Sequence, residues 1–354
     1  MNSKLIDKES NCPAQCSCRP NIDKTEHAFM QKGWLHKHLP ILLFISVCLI
    51  WGTTWLAMEI AVKTIPPVFA TGLRFLIASP LLILLVKLLN QPLLFPKGQK
   101  HWMFVVAIFY FAIPFTLMIY GEQYISSGLA SIIFANMPIA VMVTSSLFLG
   151  LRLRKTQMAG LLVAVLSLIL ILTKEMSLGG DDYVLGFLAL GGAVILHAVM
   201  YVLKEKYCNR IPVLTYNAFP SFIASAGLLA ASLVIEQPAT ASFSMDSIAA
   251  VVYLGLFASV GGIVAYFKLG QVSTPFTASI CFLFFPLIAL TLSSLIAGNS
   301  ISMVSVSLML PLLGGIFVTK AEPSFWASFR DKFRSPGQLL KRKLHRQPVE
   351  NVNA

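Results

Sequence analysis

The chain is short of charge. Of its 354 residues only 12% are Asp, Glu, Lys or Arg, while 56% are hydrophobic. Soluble domains carry about 25% charged residues, so this composition excludes a large water-exposed surface. Acid is scarcer than base, with 15 Asp and Glu against 27 Lys and Arg. Cysteine is sparse too. Cys12, Cys16, Cys18, Cys48, Cys208 and Cys281 all fall outside the segments expected to be exported, which excludes a disulfide framework. "CPAQCSC" with His27, His36 and His38 is the one gathering of zinc-type ligands, but its spacing is not a standard CxxC pair. No Walker motif is present, so this chain is not expected to hydrolyse ATP. No cluster of His, Asp, Glu, Ser and Cys gathers at one membrane depth, as a membrane-embedded enzyme would need. Neither catalytic residues, a metal nor a cofactor is expected.

What the chain has is long apolar runs. Windows of 18 or more nearly charge-free residues read as membrane spans. Ten occur, at about 39–62, 67–89, 101–121, 127–149, 157–173, 183–205, 213–235, 248–270, 274–297 and 301–319. The first is too long for a signal-peptide core, follows 38 mostly polar residues and lacks a small-residue cleavage site, so it reads as a retained span. The net charge of +12 could suggest nucleic acid. Its distribution argues for topology instead. With the N-terminus placed in the cytoplasm, 24 of the 27 basic residues fall on the cytoplasmic side, Lys63 and Lys174 fall outside, and Arg74 lies within a span. That bias predicts both termini inside, which requires an even number of spans. The fold class expected is an all-α polytopic membrane protein, in the cell inner membrane and without nucleic acid as a partner.

The chain also repeats itself. Ile65-Pro66 recurs as Ile211-Pro212 at an offset of 146, which sets Glu59 on Glu205, Trp55 on Tyr201 and Trp51 on His197. Later the offset becomes 148, pairing Gln123 with Gln271, Pro138 with Pro286 and Gly150 with Gly298. Each half holds five spans. Five is odd, so the second half is expected to enter the membrane upside down, as in many secondary transporters. The boundaries expected are a disordered cytoplasmic extension over 1–37, one five-helix repeat over 38–174, its inverted copy over 183–320, and a basic tail over 321–354. In the tail Phe325, Phe329 and Phe333 share a helical face among basic residues, which predicts an interfacial amphipathic helix on the lipid surface. Helix-breaking residues fall at matched depths: Pro114 in the third span against Gly261 and Gly262 in the eighth, and Pro138 in the fourth against Pro286 in the ninth.

"WGTTWLAMEIAV" at 51–62, "PPVFATGLRFLIASPLLIL" at 66–84 and "SSGLASIIFANMPIAVMVTSSLFLGLRLRKTQMAG" at 126–160 resemble the drug/metabolite transporter superfamily in its EamA-type bacterial exporter branch. The resemblance covers about residues 38–320. It implies ten helices in two inverted five-helix repeats. It also implies a central cavity lined mainly by spans 3, 4, 8 and 9, and export of a small metabolite such as an amino acid or related compound. One departure stands out. The family's glutamate after spans 4 and 9 is replaced here by Leu151-Arg152 after Gly150 and by Asn299 after Gly298.

Polar and aromatic groups at mid-depth are the candidate cavity lining: Trp51, Trp55, Tyr110, Asn136, His197, Tyr201 and Tyr266. Each has a plainer alternative in helix packing. A histidine at mid-depth also suits proton coupling, because its ordinary pKa is near 6.5. Glu59 and Arg74 flank the short connection through Pro66-Pro67 and are expected to form a gating or structural ion pair, with Lys63 a rival partner for Glu59. Arg74 could instead hold a substrate carboxylate, which its planar fork suits. The partners expected are a small-molecule substrate, the lipid bilayer and protons, with monomer and homodimer both open. Transport by alternating access is the leading reading, and a passive channel, a membrane sensor or an embedded enzyme are its rivals.

Overall fold

A computed structural model describes residues 22–179, 182–273, 275–298 and 301–321. Helix is the dominant structure, and no strand occurs among the described residues. That follows from the solvent. A bilayer offers no water to unsatisfied backbone groups, so a spanning segment must close its own hydrogen bonds.

Ten apolar helices result: α1 (Ile22–Ala61), α2 (Pro67–Leu88), α3 (His101–Gly121), α4 (Ser127–Leu149) and α5 (Lys155–Gly179) form the first set. The second set is α6 (Asp182–Tyr207), α7 (Val213–Ile235), α8 (Met245–Val272), α9 (Pro275–Leu295) and α10 (Met303–Lys320). Nine contain windows long and apolar enough to cross a bilayer, and the described part of α9, Ile280–Leu295, is a shorter apolar helix. Residues 22–37, expected to be disordered, continue α1 as helix. Their Lys, Glu, Gln, Ala and Met are good helix formers, and no proline interrupts them. The cysteines at 12–18 and the tail beyond 321 lie outside the described residues.

The starts of the spans carry local signals. Pro66 and Pro67 set the first turn of α2, where a missing N–H costs nothing. Ser126, Ser244 and Ser302 cap α4, α8 and α10 by accepting from the backbone N–H groups of Leu129, Ser247 and Ser305. Gly150 ends α4 at φ 66° and Gly298 follows α9 at φ 70°, a left-handed conformation that glycine adopts freely. These two are partners in the sequence repeat.

A second matched feature lies inside the helices. The α3 backbone loosens to π-helix over Ala107–Ala112, and α8 does so over Leu254–Gly261. These segments correspond at the repeat offset of 148. A π segment widens the turn, frees carbonyls from the regular ladder and often marks a functional region. Pro114 follows the first and Gly262 follows the second. In α4 the helix breaks at Ala135–Asn136, just ahead of Pro138. Pro286 behaves differently from its mate: α9 runs through it as one helix. A proline cannot donate to the residue four before it, but its neighbours can keep helical dihedrals when packing holds them.

Repeat partners pack on each other. The α2 helix lies along α7, where Ser225 Oγ donates to the Gly72 carbonyl at 3.0 Å. The α5 helix lies along α10, and they cross at Gly160 and Gly315. A Cβ on Gly160 would stand 2.6 Å from the Gly315 carbonyl oxygen, and one on Gly315 would stand 2.6 Å from that of Gly160. Small residues let membrane helices approach this closely. Leu162, Leu166, Ile169 and Leu170 point the other way from α5 and are exposed, as a lipid-facing surface requires.

Replacing Gly160 by Leu is expected to lower stability by about 1–3 kcal/mol, the usual overpacking range, because backbone rather than a flexible side chain blocks the space. Thermal unfolding of the purified protein in detergent measures this. Gly227→Ala, where no atom stands within 4 Å of the added carbon, is the control and should leave the midpoint in place.

Candidate substrate cavity

The helices enclose a cavity of about 510 Å³, lined from α1, α2, α3, α4, α6, α7, α8 and α9. That volume lies within the usual range for small-molecule sites. Its wall is mostly aromatic, and the packing of those rings follows from a few sequence features.

Trp51 stands against Tyr266 at 4.8 Å and Phe282 at 5.5 Å between ring centroids. Trp55 meets Phe134 at 5.3 Å and lies nearly parallel to Phe285 at 6.3 Å. The glycine after Trp51 and the glycine pair in α8 make this possible. A Cβ on Gly52 would stand 2.6 Å from Ile288 Cγ2, so Gly52 lets α1 press on α9. A Cβ on Gly262 would stand 2.9 Å from Trp51 Nε1, so Gly262 makes room for the indole.

His197 is 3% exposed and sits among three rings that meet it edge-on: Phe115 at 5.1 Å, Tyr110 at 5.2 Å and Phe134 at 5.7 Å. Its Nδ1 lies 3.1 Å from the Ala193 carbonyl. A carbonyl only accepts, so Nδ1 carries a proton, and the Tyr110 backbone is a second hydrogen-bonding group beside the ring. Tyr110 also touches Tyr201 and Tyr216 at 5.8 and 5.6 Å.

Of the seven candidates named from sequence, six line the cavity: Trp51, Trp55, Tyr110, His197, Tyr201 and Tyr266. Asn136 does not. It lies at the break in α4, where its Nδ2 donates to the Ile132 and Ile133 carbonyls at 3.1 and 3.4 Å. It serves the loosened backbone there. Met137, Ser259 and Asn217 line the wall without having been singled out. Ser259 lies within the π segment of α8, and that segment's place in the repeat was the available signal.

The exposed part of the cavity lining lies at one end. At the α6–α7 end its lining includes Lys204, Glu205 and Gln271, with Glu205 and Gln271 exposed. Toward the α1–α2 end it finishes on buried Arg74, Phe75 and Met118.

Arg74 and Glu59, expected as a pair, part company. Arg74 Nε donates to Ser259 Oγ at 2.9 Å, Nη1 lies 3.6 Å from Met58 Sδ, and the guanidinium carbon stands 4.8 Å from the Phe115 ring centre. Glu59 is not among these contacts. It accepts instead from the backbone N–H of Ser127 at 2.9 Å, at the first turn of α4. The same device recurs twice. Glu236, after α7, accepts from the N–H groups of Val68 and Phe69 at 2.8 and 2.9 Å, one on each oxygen. Glu175, in α5, accepts from the N–H and hydroxyl of Ser302 at 3.2 and 2.9 Å. The first turn of a helix leaves N–H groups unpaired and carries partial positive charge. A carboxylate from a neighbouring helix answers both and ties the two together. Glu122 was also missed. It is 4% exposed and buried beside this end, and neither carboxylate oxygen has a hydrogen-bond partner.

The model of the EamA-like transporter family matches this chain twice, over residues 38–173 and 184–320. The chain belongs to the EamA-like transporter family. It is therefore a multi-pass membrane protein of a transporter family, with the family's two repeats. Among its relatives, protein PagO of Salmonella typhimurium is 50% identical over 78% of this chain and 91% of its own length. A protein of Buchnera aphidicola subsp. Schizaphis graminum, described as an uncharacterized transporter, is 45% identical over 82% of this chain and 97% of its own. The Escherichia coli inner membrane transporter YedA is 27% identical over 73% of this chain and 82% of its own. The two family matches fall on the two sets of five helices, with the α5–α6 connection between them.

Glu236→Ala removes the acceptor for two N–H groups at the start of α2. It should cost about 1–2 kcal/mol, as loss of a helix cap does. Glu236→Gln, which keeps one neutral acceptor, should cost less. Thermal unfolding of both variants in detergent checks the order.

Proposed function

We propose that the chain is a secondary carrier that exports a small organic metabolite, an amino acid or related compound, by alternating access across the cytoplasmic membrane. It carries out no catalysis and needs no cofactor. The observation that carries this reading is a mid-bundle cavity whose exposed lining lies at one end, while the other end finishes on buried side chains. A channel needs a path that is continuous from side to side, and a blind cavity speaks for a carrier resting in one of two states. The repeat supplies the second state. Two similar halves of opposite orientation can exchange conformations, and that exchange would close the α6–α7 end and open the other.

The basic residues favour a cytoplasmic location for both termini. On that orientation the open end faces the cytoplasm, and the Glu59 and Glu236 caps hold the periplasmic end shut. Opening that end would require some of these carboxylates to release their N–H groups. In this reading Trp51, Trp55, Tyr110, His197, Tyr201 and Tyr266 contact cargo, and Glu59 works as a gate latch. Pro114, Gly261 and Gly262 sit where α3 and α8 loosen, the places where bending costs least. Protons remain the coupling ion in this reading, with His197 Nε2 the titratable atom nearest the cargo.

Two measurements test it. In liposomes, flux of cargo should saturate with concentration and be lost in Trp51→Ala and His197→Ala, both checked for folding by size-exclusion profile. Non-saturating flux would indicate a channel, and binding without flux a sensor. Separately, a cysteine placed at Gln271 should react with a membrane-impermeant maleimide from the cytoplasmic side. One placed at Met118 should react only after the carrier has turned over. Equal labelling of both at rest would contradict the one-sided cavity.

A further inference from the structure

Arg74 is a cation in an unusual setting. It lies on the blind end of the cavity, 3% exposed, and forms no ion pair among the described residues. Its contacts are neutral: a serine hydroxyl, a thioether and the face of Phe115. A charge buried at membrane depth is costly unless a counter-charge meets it, and such a residue marks a functional site. The charge that bears on it is Glu122, whose other charged neighbour is Glu59. Glu122 makes no hydrogen bond to Arg74, and the Glu59 backbone is the hydrogen-bonding group beside its carboxyl. Arg74 thus faces the cavity with hydrogen-bonding capacity to spare.

Resting on the carrier reading above, we propose that Arg74 receives the carboxylate of an organic monocarboxylate cargo, whose flat apolar body lies among the rings of Trp55, Phe115 and Phe134. Three features define the class. The guanidinium fork matches a planar carboxylate. Among the described residues that line the cavity, Arg74 is the cation of the blind end and Lys204 lies toward the α6–α7 mouth, so a single negative charge fits and a phosphate dianion lacks a second partner. The remaining wall there is aromatic, and ring faces hold flat bodies at centroid distances of about 4.5–7 Å.

The experiment uses purified full-length protein and two probes of nearly equal shape, indole-3-acetate and its neutral amide, indole-3-acetamide. Binding is read by isothermal titration calorimetry and thermal shift. The acid should bind at least about tenfold tighter than the amide, as charge-assisted bidentate pairing supports. Arg74→Gln should abolish that preference, and Arg74→Lys should retain part of it. Equal affinity for acid and amide overturns the proposal, as does a preference that survives Arg74→Gln, or failure of the acid to bind folded protein. Flux separates this from the carrier reading. Saturable, Arg74-independent transport of the amide would leave the carrier standing and remove the anion site. Arg74-dependent binding of the acid with no flux in either direction would do the reverse.

Discussion

Inside a bilayer each backbone N–H and C=O must find its partner within the protein. Along a helix this is automatic. At the first turn of a helix it is not, and here three spans solve the problem with a carboxylate from another span: Glu59 for α4, Glu236 for α2 and Glu175 for α10. The solution has a mechanical consequence. Each glutamate sits after or near the end of one helix and holds the beginning of another, so three pairs of helix ends are drawn together at the same end of the bundle. The blind end of the cavity lies toward that end, and the open mouth lies opposite.

The cavity depends on a second constraint, the space around backbone. Bulky rings fill the centre, and they fit because Gly52 and Gly262 lack side chains where α9 and Trp51 approach. The familiar Trp-Gly pair of the first span is thus one packing unit, with the glycine bringing the helices together and the tryptophan facing the cavity. The π segments of α3 and α8 extend the same logic. Both lie beside the cavity and both match in the repeat, so the backbone is loosest where a carrier would have to bend.

Polar groups divide by position. Arg74, facing the cavity, keeps donors available beyond its bond to Ser259. Asn136, away from it, turns its Nδ2 onto its own helix and leaves its buried Oδ1 without a partner. Side-chain chemistry alone does not separate the two groups.

The sequence alone determined that this is a ten-helix membrane protein with an internal repeat, and six residues it named at mid-depth, from Trp51 to Tyr266, stand in the cavity wall. These are legible because hydropathy and spacing are local properties. Depth in the membrane follows from position along a span, and the repeat pairs residues without reference to contacts. Only the tertiary structure decided which residues at one depth meet. Glu59 and Arg74 are close in sequence depth, yet one turns to the start of α4 and the other to Ser259 of α8. Pro138 accompanies a break and its mate Pro286 does not. The physical reason is that helix rotation and crossing are set by packing between distant segments, at glycines such as Gly52, Gly160 and Gly315, and a linear pattern carries no record of which face each helix turns toward another.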